Sequence, residues 1–256
     1  MSTVTPDPND RAPLAEPAHA IGYDAIAEGY AAENETNLVN AHYERPAVLE
    51  LAGDVTGRRI LDAGCGSGPL SAALRERGAL VTGIDASAGM LELARRRLGP
   101  DAELRVVDLA GPLPYADGAF DDVVASLVLH YLRDWGPTLA ELHRVLVLGG
   151  RLIASVEHPF VLALTRRLAG EKANYFGVTE RTEEWTMGGG STRLTFWDRP
   201  LHAMTDAFTA AGFRTAVISE PTPTPTPAAR ELFPTEIPDR PSGAFVCFLF
   251  FVLEAA

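Results

Sequence analysis

Short apolar runs alternate with segments of helical periodicity along the middle of this chain. The apolar runs predict strands at 59–63, 80–84, 104–107, within 120–129 and at 151–156. The segments between them predict helices at 69–77, 88–98 and 135–147. Strands that alternate with helices favour an α/β fold with a doubly wound, parallel sheet, because the connecting helices cover both of its faces.

The two flanks of this alternating region carry patterns of their own. Helical spacing of apolar residues predicts leading helices within 21–28 and 45–52. The tail predicts a helix at 201–211 and strands at 214–219 and 245–253. Residues 1–17 are rich in Pro, Asp, Ser and Thr and predict a disordered leader. We therefore expect a single domain over 18–256.

Segment 159–200 interrupts the strand–helix rhythm and has no periodic pattern that predicts a helix or a strand. It contains three consecutive glycines at 188–190 and five aromatic residues: Tyr175, Phe176, Trp185, Phe196 and Trp197. This aromatic content argues against disorder, and long irregular insertions in compact domains are commonly functional. We expect a lid with an aromatic wall for a flat or greasy substrate, with a small subdomain that makes a homodimer contact as the alternative.

Charge and composition argue against several classes of partner. The 256 residues carry a net charge of −12, which repels phosphate backbones, so we expect no nucleic-acid partner. No apolar stretch is long enough to span a bilayer. The two cysteines, Cys65 and Cys247, lie in apolar contexts typical of buried thiols in the cytoplasm. No cluster of residues indicates a metal site.

A glycine-rich turn follows the first predicted strand, in the sequence ILDAGCGSG at 60–68. Its spacing is Gly-x-Gly-x-Gly, unlike the Gly-x-Gly-x-x-Gly of dinucleotide binders. Gly64 and Gly66 let the backbone approach a ligand closely at the start of the next helix. Asp62 lies in the same turn, where a carboxylate repels a pyrophosphate and attracts an ammonium or sulfonium. The turn therefore favours a ligand with a cationic end.

Two further acids stand at the ends of the next two strands. Asp85 ends the second, where a carboxylate can accept from both hydroxyls of a ribose. Asp108 follows the third, where it can accept from an exocyclic amino group such as that of adenine. Each acid alone also fits a simple turn or helix cap. Together with Asp62 they describe the shape of S-adenosylmethionine, which has an amino-acid end, a ribose and an adenine.

The ordered set of motifs resembles the core of the class I S-adenosylmethionine-dependent methyltransferases. The matching pieces are ILDAGCGSG at 60–68, TGIDAS at 82–87, VVDLAGPLPYADGAFDDVVASLVLHYL at 106–132 and LHRVLVLGGRL at 142–152. The resemblance implies a Rossmann-like, seven-stranded, mostly parallel sheet whose last strand is antiparallel. It also implies S-adenosylmethionine as the cofactor and methyl transfer as the activity.

The resemblance implies roles for the residues of the first two motifs. Asp62, Gly64 and Gly66 would hold the amino-acid part of the cofactor. Asp85 would hold the ribose, and Ala86 would lie beside the adenine.

The later motifs and the leading helix complete the implied set. Met90 would pack near the adenine, and Asp108 and Leu109 would bind its edge. Ser126 would contact the methionine part through its backbone. An aromatic side chain closes over the cofactor in many members of the family, and here Tyr23 or Tyr30 matches it.

The end of the fourth strand departs from a motif that marks some members of the family. Members that methylate exocyclic amines of bases, or glutamine side chains, usually carry Asn/Asp-Pro-Pro-aromatic there, whereas this chain reads SLVLH at 126–130. With the acidic charge, this departure favours a small-molecule acceptor, such as a secondary metabolite, methylated on an O, N or C atom.

An acceptor atom that carries a proton needs a nearby base. His158 is the preferred candidate, because histidine titrates near neutral pH and Pro159 favours an extended backbone before it. Glu157 comes next, and His130 follows the fourth strand, where it could instead begin a packed helix. Two other functions stay open: a cofactor-binding protein with a non-methylating role such as cyclisation, and a nicotinamide-dependent oxidoreductase, which the glycine spacing and Asp62 oppose.

Overall fold

A computed structural model describes residues 18–223 and 246–256. Its helices are α1 (Ala18–Thr36), α2 (Arg45–Ala52), α3 (Pro69–Glu76), α4 (Ala88–Leu98), α5 (Gly136–Val145), α6 (Pro159–Leu168) and α7 (Leu201–Ala210). Its strands are β1 (Arg59–Ala63), β2 (Leu80–Asp85), β3 (Glu103–Val106), β4 (Phe120–Ser126), β5 (Leu146–Glu157), β6 (Thr179–Met187), β7 (Gly190–Asp198), β8 (Phe213–Ser219) and β9 (Phe248–Ala255). A π-helical turn (Asn40–Glu44) leads into α2, and a 3₁₀ turn (Leu129–Tyr131) follows β4.

Seven strands form one sheet in the order β3-β2-β1-β4-β5-β9-β8. The pairs from β3 to β5 are parallel, and β9 runs antiparallel to both of its neighbours. This confirms the predicted α/β class and the antiparallel last strand. The strand order reverses between β1 and β4, and such a reversal opens a crevice beyond the carboxyl ends of the strands.

Both faces of the sheet are buried under helices. Trp135 of the segment before α5 and Phe208 of α7 pack with Phe251 on one face. Val48 of α2 packs with Phe250 on the other. Phe250 and Phe251 are consecutive on β9, and side chains that follow one another along a strand point to opposite faces. The apolar strands therefore serve both halves of the core, as their continuous hydrophobicity predicts.

The segment predicted to be irregular contains regular structure. It starts with α6 and continues into a hairpin in which β6 pairs antiparallel with β7. The prediction of irregularity was wrong because β6 (TERTEEWTM) consists mostly of threonine and charged residues, so the alternating apolar period of a strand is missing from its sequence. The predicted leader at 1–17 and the start of the predicted final strand at Phe245 lie outside the described residues.

Glycines let the backbone of the hairpin turn pack directly against the backbone of α1. A Cβ added at Gly29 of α1 would lie 2.5 Å from the amide nitrogen of Gly188 in the hairpin turn. One added at Gly22 would lie 2.8 Å from a methyl group of Leu194 on β7. The seven-residue spacing places both glycines on one side of the helix. The hairpin and α1 thus form one packed layer. None of the described helices is long and apolar enough to cross a membrane.

A buried carboxylate joins three elements at the amino ends of the strands. Asp122 of β4 is fully buried and receives hydrogen bonds from the guanidinium groups of Arg58 and Arg151. Arg151 also donates to the backbone carbonyl of Ala52 at 3.0 Å. The neighbouring Asp121 pairs with Arg59 at the surface. The first cluster is a buried charge network, and the second is an exposed ion pair.

We predict that Asp122→Asn destabilises the fold by roughly 3 kcal/mol, because two half-buried guanidinium groups lose the charged carboxylate that they share. Asp121→Asn, on the adjacent exposed pair, should lose about 1 kcal/mol or less. Urea unfolding followed by circular dichroism measures both free energies. Equal losses for the two variants would contradict the prediction.

Candidate functional site

A deep cleft opens at the carboxyl ends of β1, β2 and β4, with a volume of about 990 Å³ including its solvent-open mouth. Its walls contain ten of the eleven residues predicted to bind the cofactor: Tyr23, Tyr30, Asp62, Gly64, Gly66, Asp85, Ala86, Met90, Leu109 and Ser126. The eleventh, Asp108, is outside these walls; its carboxylate accepts from the amide of Ala110 at 2.9 Å and so caps a turn. Its neighbours Val107 and Leu109 face the cleft instead.

The glycine loop adopts a conformation that side chains oppose. Gly64, Gly66 and Gly68 all have positive φ, at 80°, 55° and 80°, a region that glycine occupies without strain. A Cβ at Gly64 would also lie 2.5 Å from the Cγ2 atom of Val128, so the loop packs directly against the segment after β4. The loop then opens α3, whose first residue is Pro69, a residue well suited to the first turn of a helix because it needs no partner for an amide proton.

Asp85 ties the loop to the end of β2. One of its carboxylate oxygens accepts from the amide of Gly66 at 2.8 Å, and the other accepts from the amide of Ser87 at 2.8 Å. The hydrogen bond to the Gly66 amide fixes the glycine loop relative to β2, because Gly66 follows β1 and Asp85 ends the neighbouring strand. The sequence predicted a ligand role for Asp85, and the structure adds this structural one.

Asp62 lies at the bottom of the cleft. It is 1% exposed and accepts from the hydroxyl of Ser71 at 2.6 Å. Burial, together with the nearby carboxyls of Asp85 and Glu44, raises the pKa of Asp62 to about 7 in spite of that hydrogen bond. A positively charged ligand group would favour the ionised form of this carboxyl.

A third acid, Glu44, was missed in the sequence. It ends the π-helical turn, is 3% exposed, and lines the cleft. Arg45 and Asn34 line it beside Glu44, and the Arg45 guanidinium donates to the Asn34 side chain at 2.6 Å. Glu44 and Arg45 stand at the start of an apolar helical pattern, where charged residues are usually solvated. The π-turn that directs Glu44 inward leaves no signal in the sequence.

Three tyrosines form an aromatic wall of the cleft. The hydroxyls of Tyr23 and Tyr131 are 2.5 Å apart, and the Tyr23 ring lies edge-on to Tyr30 with centroids 5.1 Å apart. Burial raises the pKa of each of the three phenols, so they stay protonated near neutral pH. Behind them, Trp185 stacks on Tyr30 and Phe196 packs against Tyr131.

The five aromatic residues of the insertion lie in three different places. Trp185 and Phe196, on the hairpin, support the tyrosine wall from behind. Tyr175 and Phe176 pack with Phe160 of α6 instead. Trp197 lies under the guanidinium of Arg133. The cleft therefore takes its own aromatic surface from α1 and the turn after β4, and two aromatic residues of the hairpin pack behind that surface.

Leu127, just after β4, has a left-handed backbone with φ of 49°. Such a conformation is rare for a residue other than glycine and persists where the surroundings enforce it. Its amide donates to the Ser155 hydroxyl at 3.0 Å and to the Ser155 carbonyl at 3.2 Å. Leu127 and Val128 both line the cleft, so this turn shapes its wall.

None of the three candidate bases is in the described walls of the cleft. The His158 Nδ1 atom accepts from the Val161 amide at 3.3 Å as the cap of α6, and its Nε2 atom lies 2.6 Å from a Glu220 carboxylate oxygen. Glu157 pairs with Arg181 of the hairpin. Their catalytic roles stay predictions.

His130 is buried against Phe196 behind the tyrosine wall. Burial, with the positive charge of Arg181, lowers its pKa to about 3, so the imidazole is neutral near pH 7. No described residue hydrogen-bonds its Nδ1 atom.

Comparison with known proteins places this cleft in a family. The methyltransferase-domain family matches residues 61–154, the region from β1 into β5. A demethylmenaquinone methyltransferase of Tropheryma whipplei is 31% identical over 183 residues, covering 64% of this chain and 75% of that protein. A ubiquinone/menaquinone biosynthesis C-methyltransferase of Desulfotalea psychrophila is 31% identical, covering 75% and 80%.

Solved structures agree with the sequence relatives. The crystal structure of an S-adenosylmethionine-dependent methyltransferase from Mesorhizobium loti superposes with a TM-score of 0.60 at 27% identity, covering 82% of this chain and 96% of that one. The fold, the glycine loop and the acids at the strand ends agree with this match. The chain belongs to the class I S-adenosylmethionine-dependent methyltransferases.

Proposed function

We propose that this enzyme transfers a methyl group to a small molecule with a flat, largely apolar ring that bears a hydroxyl group, such as a quinol. The observation that carries the proposal is the tyrosine wall. Three aromatic faces provide an apolar surface for a ring, and the paired hydroxyls of Tyr23 and Tyr131 provide hydrogen-bonding groups for its oxygen. The names of the quinone-methylating relatives support the same class of acceptor.

The residues of the cleft fit S-adenosylmethionine. Asp62 suits a cationic amino group, and the glycine loop allows close approach of the backbone to the amino-acid part. Asp85 suits ribose hydroxyls, although its oxygens also hold two backbone amides. Met90 and Leu109 offer apolar contact to a flat base. When bound, the cofactor supplies an activated methyl group on a sulfonium.

The protein's own contribution is alignment and exclusion of water. The α1–hairpin layer supports Tyr23 and Tyr30 over the cleft, so we assign it the role of the lid. The protonated tyrosines orient the acceptor oxygen as hydrogen-bond donors. His158, Glu157 and His130 are our candidates for the acceptor proton. Glu157 is the last residue of β5, His158 follows it, and His130 contacts the ring of Tyr131.

The compartment we propose is the cytoplasm. Cys65 and Cys247 are both free thiols in the structure, and reduced cysteines are typical of that compartment.

The direct test uses cofactor labelled in the methyl group. The protein is incubated with this cofactor and a panel of quinols, simple phenols, amines and carboxylic acids. We expect label on a quinol or a phenol, with one molecule of S-adenosylhomocysteine formed for each methyl group transferred. Label on amines or acids alone would overturn the acceptor class. Cofactor binding without turnover on any acceptor would favour the non-methylating role.

We predict that Tyr131→Phe lowers kcat about tenfold or more and leaves cofactor affinity within about twofold, because it removes a hydroxyl that orients the acceptor and keeps the ring. Tyr175→Phe is the matched control, since Tyr175 packs against Phe160 away from the cleft. Steady-state kinetics and calorimetry measure the two effects. Equal kinetics for the two variants would remove the hydroxyl from this role.

We predict that Asp85→Asn weakens S-adenosylmethionine binding about tenfold or more, because it removes a charged acceptor in the cleft and weakens the bond to the Gly66 amide. Asp108→Asn should change the affinity by less than about threefold, since its carboxylate caps a turn outside the described cleft walls. Calorimetric titration compares the two. A larger loss for Asp108→Asn would restore that residue as the adenine contact.

We predict that Gly29→Ala loosens the lid, because its added methyl group cannot fit 2.5 Å from the Gly188 backbone. Hydrogen exchange should rise in β6 and β7, and the acceptor KM should rise while the sheet keeps its protection. Ala32→Ser, at an exposed position of the same helix, is the control. Unchanged exchange in the hairpin of Gly29→Ala would show that the contact does not hold the lid.

A further inference from the structure

Glu44 is a buried acid in the cleft whose role the family motifs do not describe. The π-helical turn Asn40–Glu44 ends on it, and α2 begins with the next residue. π-Helical turns are frequent at functional sites, because they displace one residue from the regular helical surface. Here that residue is a carboxylic acid that is 3% exposed and lies in the cleft wall.

Among the described residues, the side-chain hydrogen bonds of Glu44 reach one carboxylate oxygen. Ser126, at the end of β4, and Ser155 of β5 both donate their hydroxyls to Oε1 at 2.6 Å. The Ser155 oxygen accepts from the Leu127 amide, which directs its proton towards Glu44. No described residue hydrogen-bonds Oε2. The carboxyl is therefore held rigidly by one oxygen, and the other is left to carry a proton or to face a cation.

The groups around Glu44 give it too little positive charge. Asp62 on β1 and Tyr30 on α1 interact with it electrostatically, and Arg45 is the cation that acts on it. The Arg45 guanidinium is bonded to the Asn34 side chain and carbonyl. Burial raises the pKa of Glu44, and its bonds to the two serines and the charge of Arg45 oppose that rise. An ionised carboxylate buried here needs a further cation.

S-Adenosylmethionine carries a positive sulfonium, and its product S-adenosylhomocysteine carries a neutral thioether in the same place. We propose that Glu44 is a specificity-determining residue that makes the cleft bind the charged methyl donor more tightly than the neutral product. Loss of the sulfonium charge on methyl transfer then removes this attraction and favours product release. The inference rests on the cofactor and not on the acceptor class, so an acceptor assay that fails leaves it intact.

The charge change also couples binding to protons. A cationic ligand favours the ionised forms of Glu44 and Asp62, so binding of S-adenosylmethionine releases protons from whichever carboxyls are neutral in the free protein. Both forms of the cofactor carry the amino group that Asp62 suits, and the pKa of Asp62 is about 7, so affinity for both forms should increase from pH 6 to pH 8 as this carboxyl ionises. Ionisation of Glu44 should add to the affinity for the methyl donor alone.

The test is calorimetric titration of Glu44→Gln with three ligands. Glutamine keeps an oxygen for both serines and removes the charge. Affinity for S-adenosylmethionine should fall about tenfold, as should affinity for sinefungin, which carries an amine in place of the methylsulfonium. Affinity for S-adenosylhomocysteine should stay within about twofold. Glu50→Gln, at an exposed position of α2, should leave all three affinities unchanged.

The wild-type protein gives a second readout that needs no variant. Calorimetric titrations in buffers of different ionisation enthalpy measure the number of protons released when the ligand binds. This number should be larger for the methyl donor than for the product. Equal losses of affinity for all three ligands in Glu44→Gln would mean that Glu44 acts on a part that the three ligands share, or only on the structure of the cleft, and would overturn the proposal. Equal proton counts for the two cofactor forms would also overturn the proposal.

Discussion

The hydrogen bond between the Asp85 carboxylate and the Gly66 amide is the constraint on which the cleft depends. It joins the loop after β1 to the end of β2 and holds that loop in a conformation that requires glycine. The loop in turn packs against Val128 beyond β4, so three strand ends are fixed relative to one another. Every other cleft residue is positioned against this frame.

The frame concentrates carboxyl groups in a buried space. Asp62, Asp85 and Glu44 interact electrostatically there, and burial raises the pKa of Asp62 and Glu44. Such an arrangement is unfavourable for the empty protein, because each ionised acid loses hydration without gaining a full counter-charge. A cationic ligand supplies the missing counter-charge, so part of this unfavourable free energy is recovered on binding. At the opposite end of the strands the arrangement is reversed: Asp122 has two arginines and needs no ligand.

The sequence predicted the parts of the site that depend on the sheet. Asp62 and Asp85 end neighbouring parallel strands, so their convergence follows from topology alone. Asp108 has the same position in the sequence, yet β3 ends at Val106 and the following turn takes up its carboxylate, while Leu109 faces the cleft. A pattern of residue types locates a strand end to within one or two residues, and one residue changes which side chain points inward.

The parts that escaped prediction come from tertiary packing without a local signal. Glu44 enters the cleft through a π-turn, and Tyr131 meets Tyr23 across 108 positions of sequence. The hairpin reaches α1 because glycines on both elements remove the side chains between them. Tyr131 belongs to the matched segment 106–132, yet that motif gives no sign of the contacts that α1 and the hairpin make with it. The motifs therefore identify the cofactor, whereas the aromatic wall formed by α1 and the turn after β4, with the hairpin behind it, depends on contacts that appear only once the chain is folded.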